Sequence, residues 1–424
     1  MPEHVRNEIH AGFIPLIDCA PLVIAAEQGF DAQFGFQLRL YREVSWANIR
    51  DKIDVGAYDC AHMLAPMPIA TALGLGRTTA PIIVPMALNL NGNAITVSAA
   101  IFEEMLAADP EATRAGGMNA VKALKRVVDA HAKSGMAPLT LGMVFPFSSH
   151  NYDMRYWLAA GGIDPDNDVN LIVIPPPLTA ENLRSGRIDG FCAGEPWNSV
   201  AVSQGAGRIV ATKSQLWSRS PEKVLGVRAA WAEQNPQLLD ALIKAIIKAG
   251  QWLEDPRNCD QAADILSKPQ WVGTTRDIIR NVLSGTLERG GRLAVNKDPE
   301  LVLFHSHAAN FPWRSHALWI LSQMIRWGQV REPFDLNAVV EEVYRPEYYR
   351  KAAAALGISV PHENMKREGD YAVTETASSA AKRGQSFFGS DHFDPLHVLN
   401  YLEQQKIRSP SIDLTRFKGL NASH

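Results

Sequence analysis

No run of this 424-residue chain is apolar for the roughly 18 residues a membrane span requires. The opening stretch, Met1 to His10, is polar and lacks the apolar core of a secretory leader. On its own that predicts a chain that stays in the cytoplasm, with Ile9 to Ile17 already forming the first strand. Cysteine is scarce. Cys19, Cys60, Cys192 and Cys259 lie far apart, which argues against a disulfide framework or a paired-cysteine metal site. Cys60 and Cys192 sit in apolar segments and read as small buried residues rather than reactive thiols. Neither sign of charge is in excess: 42 Lys and Arg against 45 Asp and Glu leave −3, so no direct nucleic-acid partner is expected. Phosphate-binding loops, nucleophile elbows and zinc motifs are missing. His305, His307 and His316 match no ligand spacing. Neither an enzyme nor a bound metal or cofactor is therefore expected.

What the chain does have is ordinary globular composition, 46% hydrophobic and 21% charged, in a length that suits two or three domains. One frame occurs twice. Gly56, Asp59 and Pro66 recur, at the same spacing, as Gly186, Asp189 and Pro196. In each copy a helix ends at a Gly cap, a short apolar strand follows, and a Pro-marked loop opens a new helix. Along the first copy Cys60 to Pro66 otherwise reads as loop. Two such copies predict two α/β lobes, each offering strand ends to a shared cleft.

Strands are expected at Gly12–Leu16, Phe36–Arg42, Ile82–Asn89, Ala94–Ser98, Leu139–Val144 and Val169–Ile174. Helices are expected at Cys19–Gln28, Trp46–Asp54, Met118–Ser134 and Tyr152–Ala160. A helical remainder follows at Pro236–Trp252, Cys259–Leu266, Arg276–Leu287, His316–Trp327 and Leu336–Tyr344, several of these packing back on the first lobe. The division is then 1–92 and 221–356 for the first lobe and 93–220 for the second, with crossings near 92–98 and 215–226. Residues 357–424 form a C-terminal extension. His362 to Gln385 reads as flexible, and Pro410 to Leu420 carries apolar residues able to dock on the body or on a partner.

Five positions fall at strand-to-helix turns or lobe crossings, where a cleft would draw its lining: Trp46, Asn91, His150 after Ser148-Ser149, Gly194 and Lys223. Their groups are hydrogen-bond donors around one ammonium, a set that suits a small monoanion. Plainer readings stand beside these. Trp46 can be a surface aromatic, Asn91 a turn residue with positive φ, Ser148 an N-cap, His150 a loop histidine and Lys223 a solvated charge next to Glu222. Glu195 can be a general acid or a helix-start carboxylate. A histidine of ordinary pKa in the cleft would strengthen anion binding as pH falls toward about 6.5.

Several motifs together resemble one family: Gly12–Asp18, Ala61–Pro68, Asn91–Ile95, Tyr156–Pro165, Ile174–Pro177 and Gly190–Asn198. Over roughly residues 9–350 the chain resembles the nitrate and bicarbonate solute-binding proteins of ABC transporters, most nearly their cytoplasmic nitrate/nitrite sensor branch. The resemblance implies a two-lobed type II periplasmic-binding fold. It implies an oxyanion site at Trp46, Asn91 (where nitrate carriers usually have Gln), His150, Gly194 and Lys223. In the bicarbonate branch the last position resembles an acid that joins a calcium ion, so Lys223 favours nitrate or nitrite without metal. The sensor branch implies release of an RNA-binding antitermination regulator of the ANTAR type when anion binds. A periplasmic nitrate receptor is the alternative. A pyrimidine-synthase family of the same fold uses a cysteine-rich motif that the four scattered cysteines do not form.

Overall fold

The computed structural model describes residues 7–76, 80–291, 293–369, 387–389 and 391–417. Two five-stranded sheets carry the architecture. The strands are β1 (Glu8–Phe13), β2 (Gln37–Arg42), β3 (Cys60–Leu64), β4 (Ile82–Ala87), β5 (Asn93–Ser98), β6 (Thr140–Met143), β7 (Asn170–Val173), β8 (Gly190–Gly194), β9 (Gly207–Thr212) and β10 (Lys223–Arg228). The first sheet runs β2-β1-β3-β10-β4 and the second β7-β6-β8-β5-β9. In the first, β1 is parallel to β2 and β3, while β10 is antiparallel to β3 and β4. In the second, β6 is parallel to β7 and β8, while β5 is antiparallel to β8 and β9. The two lobes thus share one topology. The chain leaves the first sheet after β4, builds the second from β5 to β9, and returns as β10.

The sequence repeat has a physical cause in this topology. Gly56 and Gly186 end helices at positive φ, 76° and 69°, a conformation glycine adopts without steric cost. Asp59 then ties the start of β3 to β1: its Oδ2 accepts from His10 N at 2.9 Å, and its own N–H donates to His10 O at 2.9 Å. Asp189 does the same between β8 and β6, with Thr140 at 2.7 Å in both directions. Each aspartate fixes the register of a central strand whose far end reaches the cleft.

Cys60 to Leu64 is strand β3, which corrects the loop reading of this stretch. All five residues are buried, so no apolar–polar alternation marks the run. The helix expected from Tyr152 is α4 (Ser149–Ala160) and begins at Ser149, because Ser148 caps it: its Oγ accepts from Asn151 N at 3.0 Å. That shift puts His150 in the first helical turn. The helix expected to run to Leu287 stops at Leu283, since Gly285 adopts φ 66° and Thr286–Leu287 instead pairs with Asn296–Lys297.

The remaining helices used below are α1 (Ala20–Glu27), α2 (Trp46–Asp54), α3 (Pro66–Ala72), α5 (Trp197–Ser203), α6 (Pro236–Glu254), α7 (Arg314–Arg326), α8 (Leu336–Val343) and α9 (Val398–Gln404). Helix α6 packs on α1 and so returns to the first lobe. Helix α7, buried from Ser315 to Arg326, touches α3 of the first lobe and α4 of the second. The lobes also meet directly. Ile17 N donates to Glu195 O at 2.8 Å, and Trp197 Nε1 to Pro15 O at 3.0 Å.

Beyond the lobes the chain docks rather than trails. Glu368 is buried and receives Trp217 Nε1 at 3.1 Å, with His316 Nε2 at 3.1 Å and Lys366 Nζ at 2.8 Å. Phe387 meets Trp217 edge-on at 4.9 Å, and Phe388 stacks on Tyr156 of α4 at 3.8 Å. Tyr401 of α9 lies against Phe393, and Ile412, Leu414 and Phe417 close the same core on the body, while Leu420 lies outside the described residues. Most of the stretch expected to be flexible, 370–386, lies outside the described residues. Phe387→Ala removes a fully buried ring from this seam and is expected to cost about 3–5 kcal/mol of stability, read from a lower denaturant midpoint at unchanged slope.

Candidate functional site

The carboxyl ends of β3 and β8 and both crossings between the sheets meet at one buried cluster. Lys223 opens β10, and its ammonium is wholly buried between two carboxylates, Asp18 Oδ2 at 2.7 Å and Glu222 Oε1 at 2.5 Å. Asp18 sits in the loop after β1; its Oδ1 meets His62 Nε2 at 2.8 Å. Ile14 N donates to His62 Nδ1 at 3.4 Å, which puts the ring proton on Nε2, aimed at Asp18. The other oxygen of Glu222 collects Lys213 Nζ at 2.5 Å, Asn93 Nδ2 at 2.5 Å and the Ser149 hydroxyl. Lys213 further donates to Pro221 O at 2.7 Å and lies 3.0 Å from Asp153 Oδ2 on α4. A continuous chain of charge, Asp18–Lys223–Glu222–Lys213–Asp153, therefore runs from the first lobe to the second.

Around this chain lie donors with nothing to bond. Trp46 Nε1 and both ring nitrogens of His150 are buried and have no hydrogen-bond partner among the described residues. Lys223 carries three N–H bonds and spends two on carboxylates. Its Nζ stands 5.6 Å from the centre of the Trp46 ring, and His150 Nε2 is 3.6 Å from Glu222 Oε1, too far for a hydrogen bond. Buried polar atoms are nearly always satisfied, so this group of orphans marks a place for an acceptor. Gly194 closes β8 with its Cα facing the first lobe. A Cβ there would sit 3.3 Å from Leu16 Cδ2, 3.4 Å from Asn93 Oδ1 and 3.5 Å from Asp18 Oδ2.

Four of the five candidate residues, Trp46, His150, Gly194 and Lys223, thus gather in one place. Asn91 stands apart. Its amide is spent on the crossings: Oδ1 accepts from Ser220 N at 2.9 Å and Nδ2 donates to Glu300 O at 2.8 Å. With φ 62° it fits the turn reading. The amide that reaches the cluster belongs to Asn93, two residues on, whose Oδ1 has no partner. Glu195 takes the helix-start role: Oε2 accepts from Ser199 N at 3.2 Å in α5.

Electrostatics sort the acids and bases. Burial raises the carboxyls of Asp18 and Glu222, but the lysines beside them outweigh it and hold both below the usual range. Asp153 goes the other way, pushed up to about 6 by burial that Lys213 only partly offsets. Burial likewise pushes Glu195 up to about 7. His150 is driven down to about 3 by burial, so it is neutral throughout the physiological range. That corrects the expectation of a histidine titrating near 6.5: the ring is sealed from water, and Glu222 at 3.6 Å is too weakly coupled to hold a proton on it.

These shifts set the pH profile of stability. Asp153 and Glu195 have folded pKa values above their unfolded ones, so their contribution is complete below about pH 4 and is lost as pH rises through 6 to 7. Asp18 and Glu222 have depressed values, and theirs is present above about pH 4.5 and lost on further acidification. The expected stability maximum is therefore acidic, near about pH 4 to 4.5, and stability declines from there through about pH 7. Asp153→Asn should flatten the alkaline side, a difference on the order of 1–1.5 kcal/mol in unfolding free energy measured at pH 5 and 8.

Residues 3–267 match the NMT1-like family. The chain is 35% identical to the nitrate/nitrite binding protein NrtA of Synechococcus elongatus, over 94% of this chain and 86% of that protein. It is 41% identical over 83% of its length to the nitrate import ATP-binding protein NrtC of Synechocystis, but spans only 51% of that relative. The crystal structure of the periplasmic nitrate-binding protein NrtA from Synechocystis superposes with a TM-score of 0.82 at 32% identity, covering 95% of this chain and 99% of that one.

Proposed function

This chain belongs to the NMT1-like family, among the nitrate and bicarbonate solute-binding proteins, and we propose that it is a receptor for nitrate or nitrite that serves an ABC transporter. One observation carries the choice of ligand. The unspent donors of Trp46, His150 and Lys223 cluster around a single buried ammonium, a set that fits a small oxyanion of one negative charge. The cleft lies between lobes joined by two crossings, the arrangement in which a ligand closes the lobes by hinge motion. The relatives support transport: NrtA and NrtC bear nitrate-binding and nitrate-import names. Nothing in them favours a cytoplasmic sensor that releases an ANTAR-type regulator, so that reading ranks second.

Titration calorimetry with nitrate, nitrite, bicarbonate and chloride tests the proposal. Nitrate or nitrite should bind far more tightly than chloride, which has no set of oxygens to share among several donors. Trp46→Phe keeps the ring and removes only the N–H, and should weaken nitrate binding about fivefold or more, as loss of one buried donor to an anion costs on the order of 1–3 kcal/mol. Unchanged affinity would take Trp46 out of the site.

A further inference from the structure

The buried charges around the site do not balance for an added anion. Two ammonium groups, Lys213 and Lys223, face three carboxylates, Asp18, Glu222 and Asp153, and all five side chains are at most 3% exposed. The histidines do not make up the difference. His62 has both ring nitrogens in hydrogen bonds as a neutral ring, and His150 is neutral by burial. A bound monoanion would leave the cluster two positive charges short, and an uncompensated buried charge is strongly disfavoured.

The three carboxylates are not held equally. Asp18 is gripped by Lys223 and His62, and Glu222 by Lys223, Lys213, Asn93 and Ser149. Asp153 is held less firmly, by Lys213 at 3.0 Å and by the side chain of Asn93, both of which also serve Glu222. We propose that the site binds its anion together with one proton, and that Asp153 receives the proton. The inference rests on the anion-receptor reading above. The step is a simple addition: a proton from solvent buffer joins the Asp153 carboxylate to give the neutral acid. One buried negative charge disappears as another enters, and Lys213 is left to Glu222.

The other groups facing Asp153 cannot take this role. Cys192 on β8 is a buried thiol, its pKa raised by burial, and is already protonated. His316 on α7, behind Lys213, is pushed down to about 4 by burial and by Lys366, and its Nε2 is engaged with Glu368. Asp153 itself already sits at about 6, so a negative charge arriving nearby lifts it through neutrality.

Proton uptake is read directly by titrating the full-length chain with sodium nitrate at about pH 7.5 in PIPES, HEPES and imidazole, whose ionisation heats differ. Between about 0.5 and 1 proton should be taken up per nitrate, and the association constant should fall by the matching three- to tenfold or so per pH unit around pH 7 to 8. Asp153→Asn should bring uptake near zero and make affinity independent of pH. His150→Gln should weaken binding yet keep the uptake. Nitrate binding with no proton exchange would overturn the proposal, as would equal uptake by Asp153→Asn. If Asp153→Asn does not fold, the parent chain's proton count still decides, with His150→Gln as the control. Absence of any nitrate or nitrite binding is a separate outcome: it removes the receptor reading, and this inference with it.

Discussion

The ammonium of Lys223, buried between Asp18 and Glu222, is the constraint on which the rest of the site turns. Stripping one ion of water costs several kcal/mol, and removing a single partner from a buried pair typically costs 3–5 kcal/mol. The protein offsets that cost with geometry. Asp18 also meets His62, Glu222 also meets Lys213, Asn93 and Ser149, and the chain ends at Asp153 in the opposite lobe. Apolar residues of equal size would be at least as stable, so such a cluster is a sign of function more than of stability. The carboxylates of Asp18 and Glu222 hold the Lys223 ammonium in place and leave one N–H beside the idle donors of Trp46 and His150.

The double lobe explains how so many charges reach one point. β5 and β10 exchange the chain between sheets, and Lys223 stands at the start of β10 with Asn93 at the start of β5. The crossings therefore contribute site residues as well as connections. Helix α4 brings Ser149 and His150 in its first turn and Asp153 one turn on, and further along the same helix Tyr156 stacks on Phe388 and donates its hydroxyl to Asp391 of the C-terminal segment. Trp217, close after Lys213 in the chain, receives Phe387. The docked C-terminal segment thus buttresses the two second-lobe elements that carry Lys213 and Asp153.

Much of this was legible in the sequence, and the gaps have physical causes. The repeated Gly–Asp–Pro frame is visible because Gly56 and Gly186 need positive φ and Asp59 and Asp189 each cap a strand pair, constraints that leave residue identities behind. Burial on both faces erases alternation, which is why β3 passes for a loop. Trp46, His150, Gly194 and Lys223 stand out in the sequence by their places at turns and crossings and by family resemblance, and the fold gathers them at one point. Asn91 drew attention as the residue at the crossing, yet the turn consumes its amide and the useful one is Asn93. Glu222 looked like a reason to think Lys223 solvated, whereas it is the acid that buries it. Lys213 and Asp153 left no local signal. Their partners are remote in sequence or set by the packing of α4, and only the fold brings them together.

The account stands or falls on where the anion sits. A crystal structure of the chain with nitrate should show a planar ligand within hydrogen-bond reach of Lys223 Nζ, Trp46 Nε1 and a ring nitrogen of His150, with Asp18 and Glu222 still paired to Lys223. Nitrate bound elsewhere, or a filled cleft in which Trp46 Nε1 and His150 keep no partner, would contradict it.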